Sequence, residues 1–306
     1  MTTRLSTQRG RRNGASAPRD NGSGPDGKAP GEGRRRARAM TSQAPNWLIG
    51  TLAVVIAVAV WWLISDLGLV SQIFLPSPSA TVRSLYQMAT TGPLWSDLGV
   101  SLARLGVGFG LAAVAGVALG LVMGWFRIVA AAARPFVAGG YTVPLLAVLP
   151  LFILWFGIGT SSKVALIAVG SFFPIVVNTE EGVRRTPEGL VLAARNLGAR
   201  NFALFRKVFL PNATPQILVG LRLGFGLGLL LIVAAEMLGG TSGIGYAVLE
   251  EGNIDNAPGV FALLVVFAAL GIGSAVAIRF LERLLCPWAE VAQGRRRGSQ
   301  RTTGRT

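Results

Sequence analysis

Two charged side chains sit where charge is expensive. Arg104 and Glu236 each lie inside a long apolar run. An ionised group in such a run is kept when it pairs with another group or lines a polar path. The two are opposite in sign and fall near corresponding ends of their runs. A contact between helices and a place on an anion pathway both fit them. Little else in the chain has the chemistry of an active site. There is no histidine, which removes the commonest general base and metal ligand. The single cysteine, Cys286, excludes an intrachain disulfide. Aspartate and glutamate together number 14 and mostly lie near segment ends. No catalytic residue, metal site or cofactor of the chain's own is expected.

Three local patterns invite a functional reading and fail it. GIGTSSKV, residues 157–164, has the glycines and lysine of a phosphate loop. It lacks the closing Gly-Lys-Ser/Thr, because Val164 follows Lys163. Gly106, Gly108 and Gly110, like Gly224, Gly226 and Gly228, read as helix-packing glycines rather than dinucleotide loops. Asn212-Ala213-Thr214 fits a glycosylation pattern but falls in a segment expected to face the cytosol.

The elements that hold Arg104 and Glu236 are membrane spans. Of 306 residues, 51% are hydrophobic and 40 are glycine. Apolar runs recur at about the 20 residues a bilayer demands. The sequence predicts six: Trp47–Leu67, Leu98–Trp125, Ile128–Phe156, Val164–Val177, Ile217–Leu238 and Val260–Leu281. Trp61 and Trp62 would anchor the outer end of the first. Pro135, Pro144 and Pro150 interrupt the third. Between the first two spans, Ser79 can cap a short external helix with Leu85 and Met88 on one face. Arg222 lies about 21 Å from Glu236 along one helix, so it snorkels to the cytosolic surface instead of pairing there.

Net charge is +15, yet its distribution argues against nucleic acid as a partner. Of 29 lysines and arginines, 25 fall in residues 1–46, 125–134, 179–215 and 279–306. With six crossings, all four segments lie on one side, which is the cytosol by the positive-inside rule. Both termini are then cytosolic. Residues 1–44 have almost no large apolar side chains and read as a disordered basic tail. Residues 45–290 form the six-helix domain, and residues 291–306 a second basic tail. For residues 1–44, solvation or weak attraction to anionic membrane lipid is expected.

Residues 179–215 carry six Lys/Arg between apolar runs and must sit in water. Thr186, Pro187 and Glu188 suit the start of a helix. Leu190, Ala194 and Leu197 follow as an apolar stripe, and Gly198 ends the helix. A second helix starts at Asn201, runs through Phe202, Phe205 and Phe209, and stops at Pro211. Small residues at Ala193 and Ala194 let another surface approach closely.

Ala193-Ala194, three residues, Gly198, nine residues, Val208, Phe209 and Leu210-Pro211 resemble a hallmark of one family. That family is the inner-membrane permease subunits of binding-protein-dependent ATP-binding-cassette importers. The family's Glu position holds Leu192. LPSPSATV, LPLFILWFGIGTSSK, FFPIVVNT, GLRLG and AAEMLGGTSGIGY are similar to its nitrate/sulfonate/taurine branch, over about residues 70–285. The resemblance implies an all-α integral membrane protein of the type I importer permease kind, with a cytosolic coupling helix. Two permeases pair, here as a homodimer. Each docks its elbow into a cleft of a separate ATPase subunit, which binds ATP, while an extracytoplasmic binding protein delivers substrate. Carried over by position, the coupling residues are Leu192, Ala193, Ala194, Gly198, Ala199, Arg200, Val208, Leu210 and Pro211. Arg200 and Arg206 remain as polar contacts. ATP binding would draw the docked elbows together, and the bundles would rock between inward and outward access. The implied cargo is a small organic anion, with aliphatic sulfonate or taurine first; nitrate, bicarbonate and pyrimidine precursors stay open. A secondary transporter or channel is the competing class. A secondary transporter should show internal repeats with paired half-helices, and a docking loop has no use in it.

Overall fold

Glycine seams dictate how this chain packs. In the computed structural model, residues 46–286 are described; the two expected tails lie outside them. Helix α3 (Leu94–Trp125) presents Gly108, Gly116, Gly120 and Gly124 to α6 (Thr160–Arg184). Helix α9 (Leu210–Gly239) presents Gly220, Gly224 and Gly228 to the other side of α6. Without side chains on the seams the backbones approach closely, which stabilises helix pairs in lipid through van der Waals contact. A Cβ on Gly120 would stand 2.5 Å from Thr179 Cβ and 2.8 Å from the Val176 carbonyl. The Gly120→Ala variant is therefore expected to lose about 1–3 kcal/mol through overpacking, read as a lower melting temperature of the purified protein. Gly106, Gly110 and Gly226 have nothing within 4 Å. Only one glycine of the first triad and two of the second pack helices, since a spacing of two residues turns neighbours to different faces.

The described residues fall into two units, 46–56 and 57–286. The first is the opening stretch of α1 (Asn46–Asp66), exposed from Ile49 onward. The second unit holds the helices that follow. Helix α2 (Pro78–Thr90) is capped by Ser77, whose Oγ accepts from the Ala80 N–H at 3.2 Å. The cap is thus Ser77, not Ser79, because Pro78 takes the first helical position, which its missing N–H and fixed φ favour. Leu85 and Met88 pack against Leu94, Ile244 and Leu263 as their shared face requires.

Helices α4 (Arg127–Thr142) and α5 (Leu145–Phe156) meet at a 99° bend. Of the three prolines expected to interrupt this span, only Pro144 breaks it; Pro135 and Pro150 lie inside helices. Val143 has ψ 127°, the extended backbone that a following proline imposes. Among the described residues, five helices are long and apolar enough to cross a membrane, or six if the bent pair counts as one span.

The fourth span is longer than expected. Helix α6 continues beyond Val177 to Arg184 and buries Thr179, Glu180, Gly182 and Val183. Its charges are absorbed locally. Glu180 accepts from Arg134 Nε at 2.8 Å and Nη2 at 2.6 Å, and Glu181 accepts from Arg185 at 2.7 Å. Thr186 does not cap the next helix: Pro187 holds the cap position, and Thr186 Oγ1 accepts from Asn212 at 3.1 Å. That helix, α7, spans Glu188–Asn196. Pro211 does not stop the following one. A short α8 (Asn201–Leu204) passes through a π-helical turn, Phe205–Phe209, into α9. The wider turn accommodates a proline that has no N–H to give and whose ring crowds the preceding carbonyls. The acidic, Gly-rich stretch after α9 folds in part as α10 (Ile244–Asn253), and α11 (Ala257–Leu285) closes the described chain.

Candidate functional site

Arg104 and Glu236 meet. Arg104 Nη1 donates to Glu236 Oε1 at 2.7 Å, with side chains 8% and 0% exposed. A buried ion pair is held best when its remaining lone pairs and protons are also satisfied, and here four of the five Arg104 N–H donors and both Glu236 oxygens are bonded. Glu236 also accepts from Ser101 Oγ at 2.8 Å and from the Gly245 N–H at 3.0 Å. Arg104 Nη1 donates to the Ser242 carbonyl at 2.8 Å, Nη2 to Ser242 Oγ at 2.9 Å, and Nε to Thr160 Oγ1 at 3.3 Å. Ser101 Oγ accepts from the Ile244 N–H at 2.9 Å, and Asp97 Oδ1 accepts from the Gly243 N–H at 2.8 Å. The cluster fastens the 240–245 loop to α3 and to the start of α6.

Lys163 completes this end of the bundle. Its Nζ donates to the carbonyls of Ile158, Gly159 and Gly239 at 3.1, 3.1 and 3.0 Å. All three ammonium protons are used. The carbonyls lie just past α5 and at the last residue of α9, where the negative ends of helix dipoles favour a cation. Ser101, Ser242 and Asp97 were not singled out in the sequence, and Lys163 was read only as the lysine of a motif that is not a phosphate loop. For Lys163 the available signal was its position one turn into an apolar helix, where it reads otherwise as part of a polar turn. Removing the Ser101 hydroxyl should leave the Ile244 N–H without its partner. The Ser101→Ala variant is expected to cost about 1–3 kcal/mol, seen as a lowered melting temperature with membrane insertion retained.

Arg222 does not simply extend to the surface. Its Nη2 lies 3.2 Å from Glu282 Oε2 on α11.

The elbow lies at the opposite end, with Arg134, Glu180 and Asn212. Helix α7 has no buried residue. Of the expected stripe, Leu190 and Leu197 are 52% and 89% exposed and Ala194 is half-buried; Leu192, 59% exposed, lies two residues from Leu190 and so on another face. Ala193, Gly198 and Arg200 are exposed, and Ala194 and Ala199 half-buried. Gly198 has φ +84°, the left-handed conformation expected of a helix-ending glycine. The Ala199 N–H bonds the Ala194 carbonyl at 2.9 Å, and the Gly198 N–H the Arg195 carbonyl at 2.9 Å. These bonds fix the direction in which the chain leaves α7. Val208, Leu210 and Pro211 are half-buried in the π turn and the start of α9, away from the exposed tip. The nine residues thus split into an exposed group, 192–200, and a supporting group, 208–211. Among the described residues, no cluster of histidine, cysteine, aspartate and glutamate could hold a metal ion.

Apolar helices on glycine seams, a buried polar staple at one end and a solvent-facing elbow at the other define a membrane subunit of a transport system. Residues 114–285 match the family described as binding-protein-dependent transport system inner membrane component, and the chain belongs to it. It is 37% identical over 249 residues to the putative aliphatic sulfonates transport permease protein SsuC of Bacillus subtilis (strain 168), covering 81% of this chain and 90% of that one. It is 36% identical over 247 residues to the taurine transport system permease protein TauC of Escherichia coli (strain K12), covering 78% and 88%. The fold is similar to that of a solved MetNI methionine transporter chain in an inward-facing conformation. The TM-score is 0.53 at 22% identity, over 64% of this chain and 99% of that chain. The protein is a multi-pass permease subunit of a binding-protein-dependent ATP-binding-cassette importer, a class of membrane subunit that is not itself an enzyme.

Proposed function

We propose that this permease moves an aliphatic sulfonate or taurine across the inner membrane. ATP hydrolysis takes place in a separate ATPase subunit, and the chain needs no cofactor of its own. Two copies pair, embedded in membrane lipid, with both termini in the cytoplasm. The elbow faces the ATPase and the staple end faces the extracytoplasmic binding protein. The observation that carries this reading is α7. A helix with no buried residue, exposed leucines at 190 and 192 and a third at its C-cap, Leu197, offers apolar surface that needs a partner, and Gly198 fixes how that surface is presented. Residues 192–200 make the contact, while Val208, Leu210 and Pro211 brace it. Arg104 and Glu236 act as a structural staple, since both side chains are withdrawn from solvent and four of the five Arg104 N–H donors are hydrogen-bonded. The names of the two relatives support the choice of cargo.

The test is growth. A strain lacking the gene should fail on taurine or an alkanesulfonate as sole sulfur source, grow normally on sulfate, and recover on complementation. Undiminished growth and uptake on every sulfonate tried would overturn the choice of substrate.

A further inference from the structure

At the elbow end lies a cavity of about 290 Å³ whose walls include Val122, Trp125, Phe126, Phe202 and Phe205. Apart from Asn201 its lining is apolar, and Phe126 and Phe202 are 53% and 73% exposed. Trp125 is the last residue of the apolar run of α3, the depth at which an indole marks the membrane–water interface. Trp125 packs edge-on against Phe205 and Phe209, with ring centroids 5.3 and 5.0 Å apart. Its Nε1 makes no hydrogen bond among the described residues. Arg127 and Arg206 adjoin the lining residues Phe126 and Phe205 in sequence, and both are exposed. Neither enters an ion pair among the described residues.

We propose that this pocket binds one anionic phospholipid of the bilayer. An acyl chain fills the aromatic cavity, and the phosphate meets the two guanidinium groups and the free indole N–H. Basic pockets between membrane helices on the cytoplasmic side bind anionic headgroups in this way. Depth and charge favour a lipid over a protein occupant: the cavity sits at the end of a lipid-length run, and the two arginines that adjoin its lining in sequence are exposed and enter no ion pair among the described residues. The lipid would wedge between α3 and the arm that leads from Gly198 into α9. The inference rests on membrane placement and not on the ATPase docking reading, so each can fail alone.

Native mass spectrometry of the purified full-length permease tests it, with phosphatidylglycerol and phosphatidylcholine of identical acyl chains as probes. The wild type should retain one phosphatidylglycerol per chain, with a preference on the order of tenfold, as two basic side chains near a membrane surface give. The Arg127→Gln/Arg206→Gln double variant should fall to near parity between the lipids. The Val122→Trp variant, which fills the cavity and keeps both arginines, should lose the bound lipid. An Arg279→Gln control, exposed on α11, should behave as the wild type. Three results would each overturn the proposal. The first is an equal loss in the control, which means diffuse attraction. The second is full retention in Val122→Trp. The third is protection of a Phe202→Cys thiol by the ATPase subunit but not by phosphatidylglycerol, which assigns the pocket to a protein partner.

Discussion

Truncating Arg104 to alanine should reduce uptake to background and lower the melting temperature more than any other single change in the bundle. The variant leaves the Glu236 carboxylate, 0% exposed, without its guanidinium. Breaking a buried pair from one side costs about 3–5 kcal/mol, because the remaining charge stays desolvated. The bonds to Ser242 and Thr160 go with it, so the 240–245 loop loses two of its ties to α3. A double-mutant cycle separates this from simple loss of packing. The Arg104→Met/Glu236→Leu variant should be more stable than either single change, since it leaves no unpaired charge. Additive losses would show that the two side chains do not act as a unit. Uptake measured on whatever folded double variant remains asks a further question. Near-normal transport would fit a purely structural staple, whereas a stable but inactive bundle would place Arg104 on the anion's route.

Substituting Gly198 by proline should abolish co-purification of the ATPase subunit and reduce import to background, while membrane insertion and the melting temperature stay close to wild type. Proline fixes φ near −65°, and Gly198 stands at +84°. It also removes the N–H that bonds the Arg195 carbonyl. The chain must then leave α7 in another direction. Because α7 buries nothing in the bundle, the fold has little to lose and the docking geometry much. The Gly198→Ala variant is the graded case. A Cβ there meets nothing within 4 Å, so the only cost is the left-handed backbone, about 1–2 kcal/mol. Partial coupling is expected. If the proline variant assembles and transports normally, this glycine does not set the elbow.

What could be read from the chain depended on how far apart the interacting parts lie. Apolar runs of membrane length are local, so the spans were legible, as was the Gly198 turn. Arg104 and Glu236 stood out because each is a charge in an apolar run. Their full set of partners did not, because the Ser101–Glu236, Arg104–Ser242 and Ser101–Ile244 bonds join segments 135, 138 and 143 residues apart. Glu180 and Arg134 were legible only as separate flanking charges, so α6 was ended too early. Pairing across 46 residues is what lets the helix carry that carboxylate onward. Pro211 was misread for a different reason. The stop rule assumes an α-helical ladder, and a π turn supplies the extra residue that lets the helix pass a proline.

On the proposed function, the exposed α7 seats in a separate ATPase subunit. A photo-crosslinking amino acid placed at Ala193, in the importer purified with its ATPase, tests it most directly. The expected product on irradiation is one adduct with the mass of permease plus ATPase, lost when Gly198 is replaced by proline. An intact, co-purified complex in which position 193 captures only lipid, solvent or a second permease would contradict it.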